Sequence, residues 1–162
     1  MIILRQALSI RSHDTRTSLN ALREARGMML RLIGEEYYER ALRWAYNIFS
    51  RFYDEFTLRL PRYSEIYTLM LRLASPSSED EVLDVACGTG LISIPMVDKA
   101  SDVIGLDISL GQLRRMKLKG KTLKIRPHLV LGDAKNLPFR ESSFSMTICS
   151  GALSEIPRKD RS

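Results

Sequence analysis

The sequence contains little cysteine and histidine. Its 162 residues include two cysteines, Cys87 and Cys149, and two histidines, His13 and His128. The cysteines are too far apart for a CxxC motif, which argues against a zinc site or a disulfide framework. We therefore predict no metal site. We expect two small buried thiols in a protein of the reducing cytoplasm.

Long apolar runs are also absent. No stretch approaches the roughly 20 apolar residues that a membrane-spanning helix needs, so we predict no transmembrane segment. Hydrophobic residues make up 44% of the chain and charged residues 27%, which excludes collagen and general disorder. A length of 162 residues is enough for one domain with a real core.

Positive charge is concentrated at the start of the chain. The formal net charge is +6, and residues 1–34 hold six arginines against two acidic residues, a net of +4. Such an arm attracts RNA or an anionic membrane, although a solvated helix face explains it too. Its composition also resembles a transit peptide, and Met28 or Met29 are alternative starts. We do not expect nucleic acid as a partner, because aromatic and basic residues are not interleaved.

The first 75 residues have the pattern of helices. Apolar residues recur at steps of three and four over residues 35–60, which predicts an amphipathic helix. Pro61 interrupts it, and a second helix is predicted over residues 62–74, ending at Ser75 before Pro76. We predict that residues 1–75 are a helical N-terminal extension and cap.

From residue 76 to residue 162, short apolar runs alternate with helical patterns. The predicted strands are 81–86, 102–107, 127–133 and 144–150. Helices are predicted over residues 91–99 and from Ser109, as N-cap, to Gly120. Such alternation predicts an α/β fold, a Rossmann-like doubly wound parallel sheet of about four strands preceded by an α-helical N-terminal segment. A ligand is expected at the carboxyl ends of the strands.

A glycine turn and an acidic residue mark the candidate site. Gly88-Thr89-Gly90 follows the first strand, where glycine permits a sharp turn and close approach of a ligand. Asp107 ends the next strand, 17 residues after Gly90, where a carboxylate accepts hydrogen bonds from a ribose diol. The third glycine of a dinucleotide fingerprint is replaced by Ser93, which disfavours a nicotinamide dehydrogenase.

Two further carboxylates belong to the same predicted edge. Asp84 lies inside the first strand, where burial is costly without a partner such as an ammonium group. Asp133 follows the third strand. Three carboxylates at adjacent strand ends favour a ligand with hydroxyls, amines and positive charge, and they repel a pyrophosphate.

The motifs together resemble a known family. The segments VLDVACGTG (82–90), IGLDIS (104–109) and GDAKNLPF (132–139) are similar to successive motifs of class I S-adenosylmethionine-dependent methyltransferases. The likeness is strongest to the small-molecule branch that includes the ubiquinone and menaquinone biosynthesis enzymes. The tail FSMTICSGALSEIP (144–157) resembles the fourth-strand segment of that branch. The resemblance implies methyl transfer to a small-molecule acceptor, with S-adenosylmethionine as cofactor.

The resemblance also implies roles for individual residues. Asp84, Ala86 and Gly88 would face the methionine part of the cofactor, and Gly90 would let the loop close under it. Cys87, in the same turn, is also predicted to bind the cofactor. The ribose would lie at Asp107, the adenine at Ile108, Asp133 and Ala134, and the methyl group near Ser150 and Gly151. Tyr53, in a segment Arg51-Phe52-Tyr53-Asp54 that such enzymes often carry, would cover the cofactor. No catalytic residue is assigned. Glu155 stands where a base can sit, and an exposed glutamate at a helix start explains it as well.

The fourth strand is expected to be an open apolar edge. The family's strand order is 3-2-1-4-5-7-6, and the sequence ends soon after the fourth strand. The chain is then a fragment, half of a split enzyme, a paired or domain-swapped oligomer, or a non-catalytic relative. An open edge predicts self-association or a partner chain. The alternative functions are a non-catalytic or split cofactor-binding module and, less favoured, an RNA methyltransferase.

Overall fold

The computed structural model describes residues 13–150 and residue 152. The chain divides into two compact units, Met1–Ala45 and Tyr46–Ser162. In the first unit, helix α1 (His13–Ile33) is followed by Gly34 and the start of helix α2 (Glu35–Phe49). Gly34 has a φ of 77°, a conformation that glycine adopts without strain. The predicted domain boundary after residue 75 stays a prediction.

The predicted helix over residues 35–60 is interrupted. Helix α2 ends at Phe49, and helix α3 (Tyr53–Arg59) begins after a turn. The Ser50 hydroxyl donates a hydrogen bond of 2.9 Å to the carbonyl oxygen of Asn47. Such local bonding competes with continuation of a helix, and the apolar spacing alone does not reveal it.

The helix before the sheet forms as predicted. Helix α4 (Pro61–Ala74) has Pro61 in its first turn, where the missing N–H costs least. Ser75 takes a left-handed conformation and its N–H donates to the Leu71 carbonyl, which ends the helix.

Four parallel strands form the sheet, as the sequence predicts. They are β1 (Glu81–Val85), β2 (Asp102–Asp107), β3 (His128–Leu131) and β4 (Met146–Cys149), in the order β3-β2-β1-β4. All three strand pairs are parallel, and Asp84 lies opposite Gly105 and Ile148. The predicted α/β fold class and strand order are confirmed. Among the described residues, β3 and β4 are the edges.

Each face of the sheet has its own apolar cluster. On one face Val82 and Val103 pack with Ile92 and Met96, and α4 covers them through side chains that include Tyr67. The other face buries Leu83, Val85 and Leu106 against partly buried side chains that include Phe139 and Phe144. Burial of each such side chain stabilises the fold by roughly 1.5–3 kcal/mol. The two clusters therefore stabilise β1, the strand that the glycine turn follows.

The segment predicted as a helix over residues 91–99 consists of turns around a short 3-10 helix, Ile94–Met96. Pro95 has no N–H to donate, and the N–H groups of Met96 and Val97 bond to carbonyls three residues earlier. The tight turns also bring Ser93 beneath β1, where its hydroxyl contacts Asp84.

Helix α5 (Leu110–Leu123) runs three residues past its predicted end. Ser109 is its N-cap, as predicted, and accepts a hydrogen bond from the Gln112 N–H. Gly120 does not end the helix, and an added Cβ there would lie 2.8 Å from Pro127 Cδ. Its role is close packing, and Lys124, in a left-handed conformation, ends the helix instead. None of the helices in the described part of the chain is long and apolar enough to cross a membrane.

Gly90→Ala should destabilise the second unit by about 2–4 kcal/mol. Gly90 has a φ of 79°, and an added Cβ would lie 2.7 Å from the Met116 Cγ in α5. Gly88→Ala is the matched control in the same unit, because Gly88 has a φ of 56° and no atom closer than 3.8 Å to the added Cβ. Urea unfolding of both variants measures the difference. Equal losses would show that the contact with Met116 has no effect.

Candidate functional site

The three acidic residues predicted for the site lie at one edge of the sheet. Asp84 is the last but one residue of β1, Asp107 is the last residue of β2, and Asp133 follows β3 by two residues. Because the strands are parallel and in register, these residues come together at the carboxyl ends. The sheet therefore places three carboxylates where the sequence predicts a ligand.

Asp107 connects the glycine turn to the end of β2. One carboxylate oxygen accepts from the Gly88 N–H and the other from the Ser109 N–H, each at 2.8 Å. Burial raises the pKa of Asp107, and the backbone N–H groups of Ser109, Gly88 and Ile108 act against this increase. Each oxygen retains further acceptor capacity, so the side chain can still accept hydrogen bonds from a diol.

Asp84 is almost completely buried, and only one of its two carboxylate oxygens accepts a hydrogen bond from a described residue. It is 1% exposed. The Ser93 hydroxyl donates to Oδ2, while Oδ1 is buried without a partner among the described residues. Burial raises the pKa of Asp84 to about 7. A buried carboxylate oxygen without a donor is rare and costs free energy, so this atom points to a ligand that donates hydrogen bonds.

A cavity adjoins Asp84 at this edge. It measures about 280 Å³, counting its opening to solvent, and its lining includes Asp84, the glycine turn, Tyr53 of α3 and Tyr67 of α4. Tyr67 is hydrogen-bonded to the side chains of Tyr53 and Ser150, and burial raises the pKa of both tyrosines. The cavity therefore brings two tyrosines and the backbone of the glycine turn next to the buried carboxylate.

Part of the predicted site lines this cavity. The residues that do so are Asp84, Ala86, Cys87, Gly88 and Ser150. The Cys87 side chain is buried against Leu113 and Met116, and burial raises the pKa of its thiol. Ala86 has a φ of 57°, so the turn begins with a left-handed residue that is not glycine.

The remaining predicted residues lie outside that lining. Gly90 packs under Met116, and Ala134 packs against the apolar cluster of Leu83, Val85 and Leu106. Ile108 is 37% exposed after β2. The Asp133 carboxylate accepts from the Lys135 N–H at 2.9 Å, within its own turn. Gly151 and Glu155 lie outside the described residues.

The sequence does not reveal a polar cluster that holds α3 against the glycine turn. The Thr89 hydroxyl donates to one oxygen of Asp54, and the Lys119 ammonium lies 2.7 Å from the other. Thr89 is 1% exposed, and burial lowers the pKa of Lys119 while Asp54 acts against this decrease. Asp54 directly follows Tyr53, so the cluster fixes the tyrosine at the cavity. No spacing rule joins residues 54, 89 and 119.

Asp54→Ala should destabilise the protein by about 2–3 kcal/mol, because it leaves Lys119 and Thr89 without their shared partner. Glu55→Ala is the matched control. Its ion pair with Arg59 is exposed, with side chains 60% and 77% accessible, and is worth less than about 1 kcal/mol. Urea unfolding compares the two variants. A double-mutant cycle with Lys119→Met measures the coupling, and zero coupling would contradict the cluster.

Asp84 should make stability depend on pH. Its pKa of about 7 in the folded protein is above the ordinary 3.8, so the folded state keeps a proton that the unfolded state releases. Its contribution to stability is therefore present below about pH 4 and is lost as pH rises to about 7. The free energy of unfolding of the parent protein should therefore fall by about 2–4 kcal/mol between pH 5 and pH 8 because of Asp84. Asp84→Asn should remove this fall, because asparagine does not titrate.

Unfolding in urea at both pH values checks this prediction. Asp98→Asn, at an exposed position, is the matched control and should leave the difference between the two pH values unchanged. An Asp84→Asn variant with the pH dependence of the parent protein would contradict the burial of a protonated Asp84.

The chain is similar to known methyltransferases. A demethylmenaquinone methyltransferase of Paenarthrobacter aurescens is 41% identical over 81 residues, which cover 49% of this chain and 30% of the relative. A demethylmenaquinone methyltransferase of Oceanobacillus iheyensis is 32% identical over 117 residues, 68% of this chain and 49% of the relative. The chain thus spans between about a third and a half of the length of these relatives.

A solved structure shares the fold. The magnesium protoporphyrin IX methyltransferase of Synechocystis, solved with bound S-adenosylmethionine, matches with a TM-score of 0.51 and 21% identity, covering 59% of this chain and 48% of that one. A family model described as a methyltransferase domain matches residues 82–162, which is half of the chain and extends from Val82 in β1 past β4. The chain therefore belongs to the methyltransferase domain family.

Proposed function

We propose that the carboxyl edge of the sheet binds S-adenosylmethionine and that the protein transfers its methyl group to a small-molecule acceptor. The observation that carries the proposal is Asp84 Oδ1, a buried carboxylate oxygen with no donor among the described residues, beside a cavity. A cationic ligand that donates hydrogen bonds satisfies this atom and offsets the cost of its burial.

The residues present fit the cofactor. The methionine end of S-adenosylmethionine carries an ammonium group and a sulfonium, both positive, and Asp84 supplies the complementary charge. Gly88 has a φ of 56° and only a side-chain oxygen of Gln112 within 4 Å of an added Cβ, so the turn leaves room for a ligand against the backbone. The Asp107 carboxylate holds the same turn through the Gly88 N–H.

Each predicted residue has a proposed role. Ala86, Cys87, Gly88 and Gly90 shape the turn along the methionine part. Asp107 accepts hydrogen bonds from the ribose. Ile108, Asp133 and Ala134 border the adenine, and Ser150 lies near the reacting methyl group together with Tyr53 and Tyr67. These assignments rest on the family motifs and on the common sheet edge that the residues share.

The protein's part in the reaction is alignment. When bound, S-adenosylmethionine supplies a methyl group that a sulfonium activates for displacement. Tyr53 and Tyr67 wall the cavity and exclude water, while the linked glycine turn and α3 hold the geometry. Among the described residues we assign no base.

We propose a hydrophobic, quinone-like acceptor. The GDAKNLPF segment and the two demethylmenaquinone methyltransferases that the chain resembles support this class. A cytoplasmic location fits Cys87 and Cys149, which are not joined in a disulfide. An added strand along β4, from a second copy or a partner chain, would complete the edge.

Asp107→Ala should weaken S-adenosylmethionine binding by about 5–150-fold, which corresponds to about 1–3 kcal/mol. The variant removes the ribose acceptor and frees the Gly88 N–H. Calorimetric titration measures the affinity, with Asp98→Ala at an exposed position as control. Unchanged affinity of the Asp107 variant would exclude this edge as the nucleoside site.

Transfer of a labelled methyl group tests the reaction itself. The chain is incubated with labelled S-adenosylmethionine and a series of quinols and other phenolic acceptors, and extraction into organic solvent reports the product. We expect transfer to a hydrophobic acceptor. Cofactor binding without transfer to any acceptor would reject the catalytic proposal and leave the binding proposal standing.

A further inference from the structure

A strongly basic segment lies between two of the acidic site residues. From Ile108 to Gly132 the sequence contains seven basic residues and no acidic one. They are Arg114, Arg115, Lys117, Lys119, Lys121, Lys124 and Arg126. Most of the segment is helix α5, so its charge is displayed on a regular surface.

The two sides of α5 have different roles. Leu113, Met116 and Gly120 are buried, and Lys119 is used inside the protein by Asp54. The opposite side is open. Arg114, Lys117 and Lys121 are exposed and, with the exposed Lys124 and Arg126 that follow the helix, form no ion pair with another described residue.

Leucines accompany these cations on the same side of the helix. Leu110 is 43% exposed and Leu118 is 52% exposed. These side chains lie on one stripe of the helix, because their positions follow one another at intervals of four, three, one and three residues. The positions are 110, 114, 117, 118 and 121. We call this stripe, with Lys124 and Arg126, the basic face. It combines five exposed cations with two exposed leucines.

We propose that the basic face docks the protein on the surface of an anionic lipid bilayer. Clusters of four to eight lysines and arginines on an amphipathic helix are attracted to anionic headgroups by about 1 kcal/mol per residue near the surface. The leucines enter the boundary between headgroups and acyl chains, where apolar side chains gain free energy. Charge complementarity and the leucine spacing together select this occupant.

RNA is the competing polyanion, and the basic face is poorly suited to it. Single-stranded nucleic acid is held by aromatic side chains on which bases stack. Residues 108–132 contain no phenylalanine, tyrosine or tryptophan. Two exposed leucines add nothing to phosphate contacts, whereas they stabilise contact with lipid.

The basic face is continuous with the candidate site. Helix α5 begins three residues after Asp107, so its first turn adjoins the carboxyl edge of the sheet. A bilayer lying along α5 would bring that edge near the lipid. The docking surface stands on its own charges and exposure and does not depend on the proposed function.

Vesicle co-sedimentation tests the docking. The full chain is mixed with vesicles of phosphatidylcholine alone or with about one third phosphatidylglycerol, at about 0.05 M and about 0.5 M salt. We expect binding to the anionic vesicles only, weakened at high salt. Lys117→Gln/Lys121→Gln should weaken it by about 20–30-fold, since each residue contributes about fivefold. Leu118→Ser should weaken it further.

Matched variants separate docking from general charge. Lys99→Gln/Arg140→Gln removes the same charge from exposed positions outside α5 and should retain binding. Circular dichroism confirms that each variant is folded. The proposal is overturned by equal loss in this control, by no sedimentation with anionic vesicles at low salt, or by RNA binding that is tighter than vesicle binding and insensitive to Leu118→Ser.

Discussion

The candidate site depends on a carboxylate that the sheet holds away from water. Asp84 lies on the same side of β1 as Val82 and is as deeply buried as the core residues around it. An apolar residue at this position would cost less folding free energy, because a buried polar oxygen without a donor is destabilising. The fold tolerates the cost because strands on both sides and the Ser93 hydroxyl fix the side chain. Perturbed buried acids beside a cavity are typical of functional sites, which is why this residue carries the functional argument.

The second carboxylate at the same edge is used differently. Asp107 is also buried, but both of its oxygens accept backbone N–H groups, so it acts as a strut between β2 and the glycine turn. The two acidic residues therefore have different roles. Asp107 fixes the turn, and Asp84 keeps an oxygen free for a ligand. A ligand bound at Asp107 would reinforce contacts that already exist, whereas one bound at Asp84 would satisfy an atom that has no donor among the described residues.

The strands could be predicted because local patterns decide them, whereas their order was predicted from the family resemblance. Alternating apolar runs, the turn at Gly88 and the cap at Ser109 each specify their own surroundings. The failures have tertiary causes. Gly120 resembles a helix end, but the contact with Pro127 requires it and the helix continues. The segment over residues 91–99 lacks a regular helix because Pro95 removes a hydrogen-bond donor. Its turns bring the Ser93 hydroxyl into contact with Asp84. The cluster of Asp54, Thr89 and Lys119 joins three distant parts of the sequence. The spacing of these residues does not predict that they are in contact.

Helix α5 connects the site to the basic face without making the two interdependent. On its inner side Met116 fills the space that Gly90 leaves, and Lys119 reaches Asp54, so the helix supports the glycine turn directly. On its outer side Arg114, Lys117 and Lys121 are exposed, and Leu110 and Leu118 are about half exposed. Substitutions outside can therefore change attraction to a surface while the turn remains in place. A protein that takes a hydrophobic acceptor gains from this arrangement, since such acceptors concentrate in bilayers and docking raises the local concentration that the site meets.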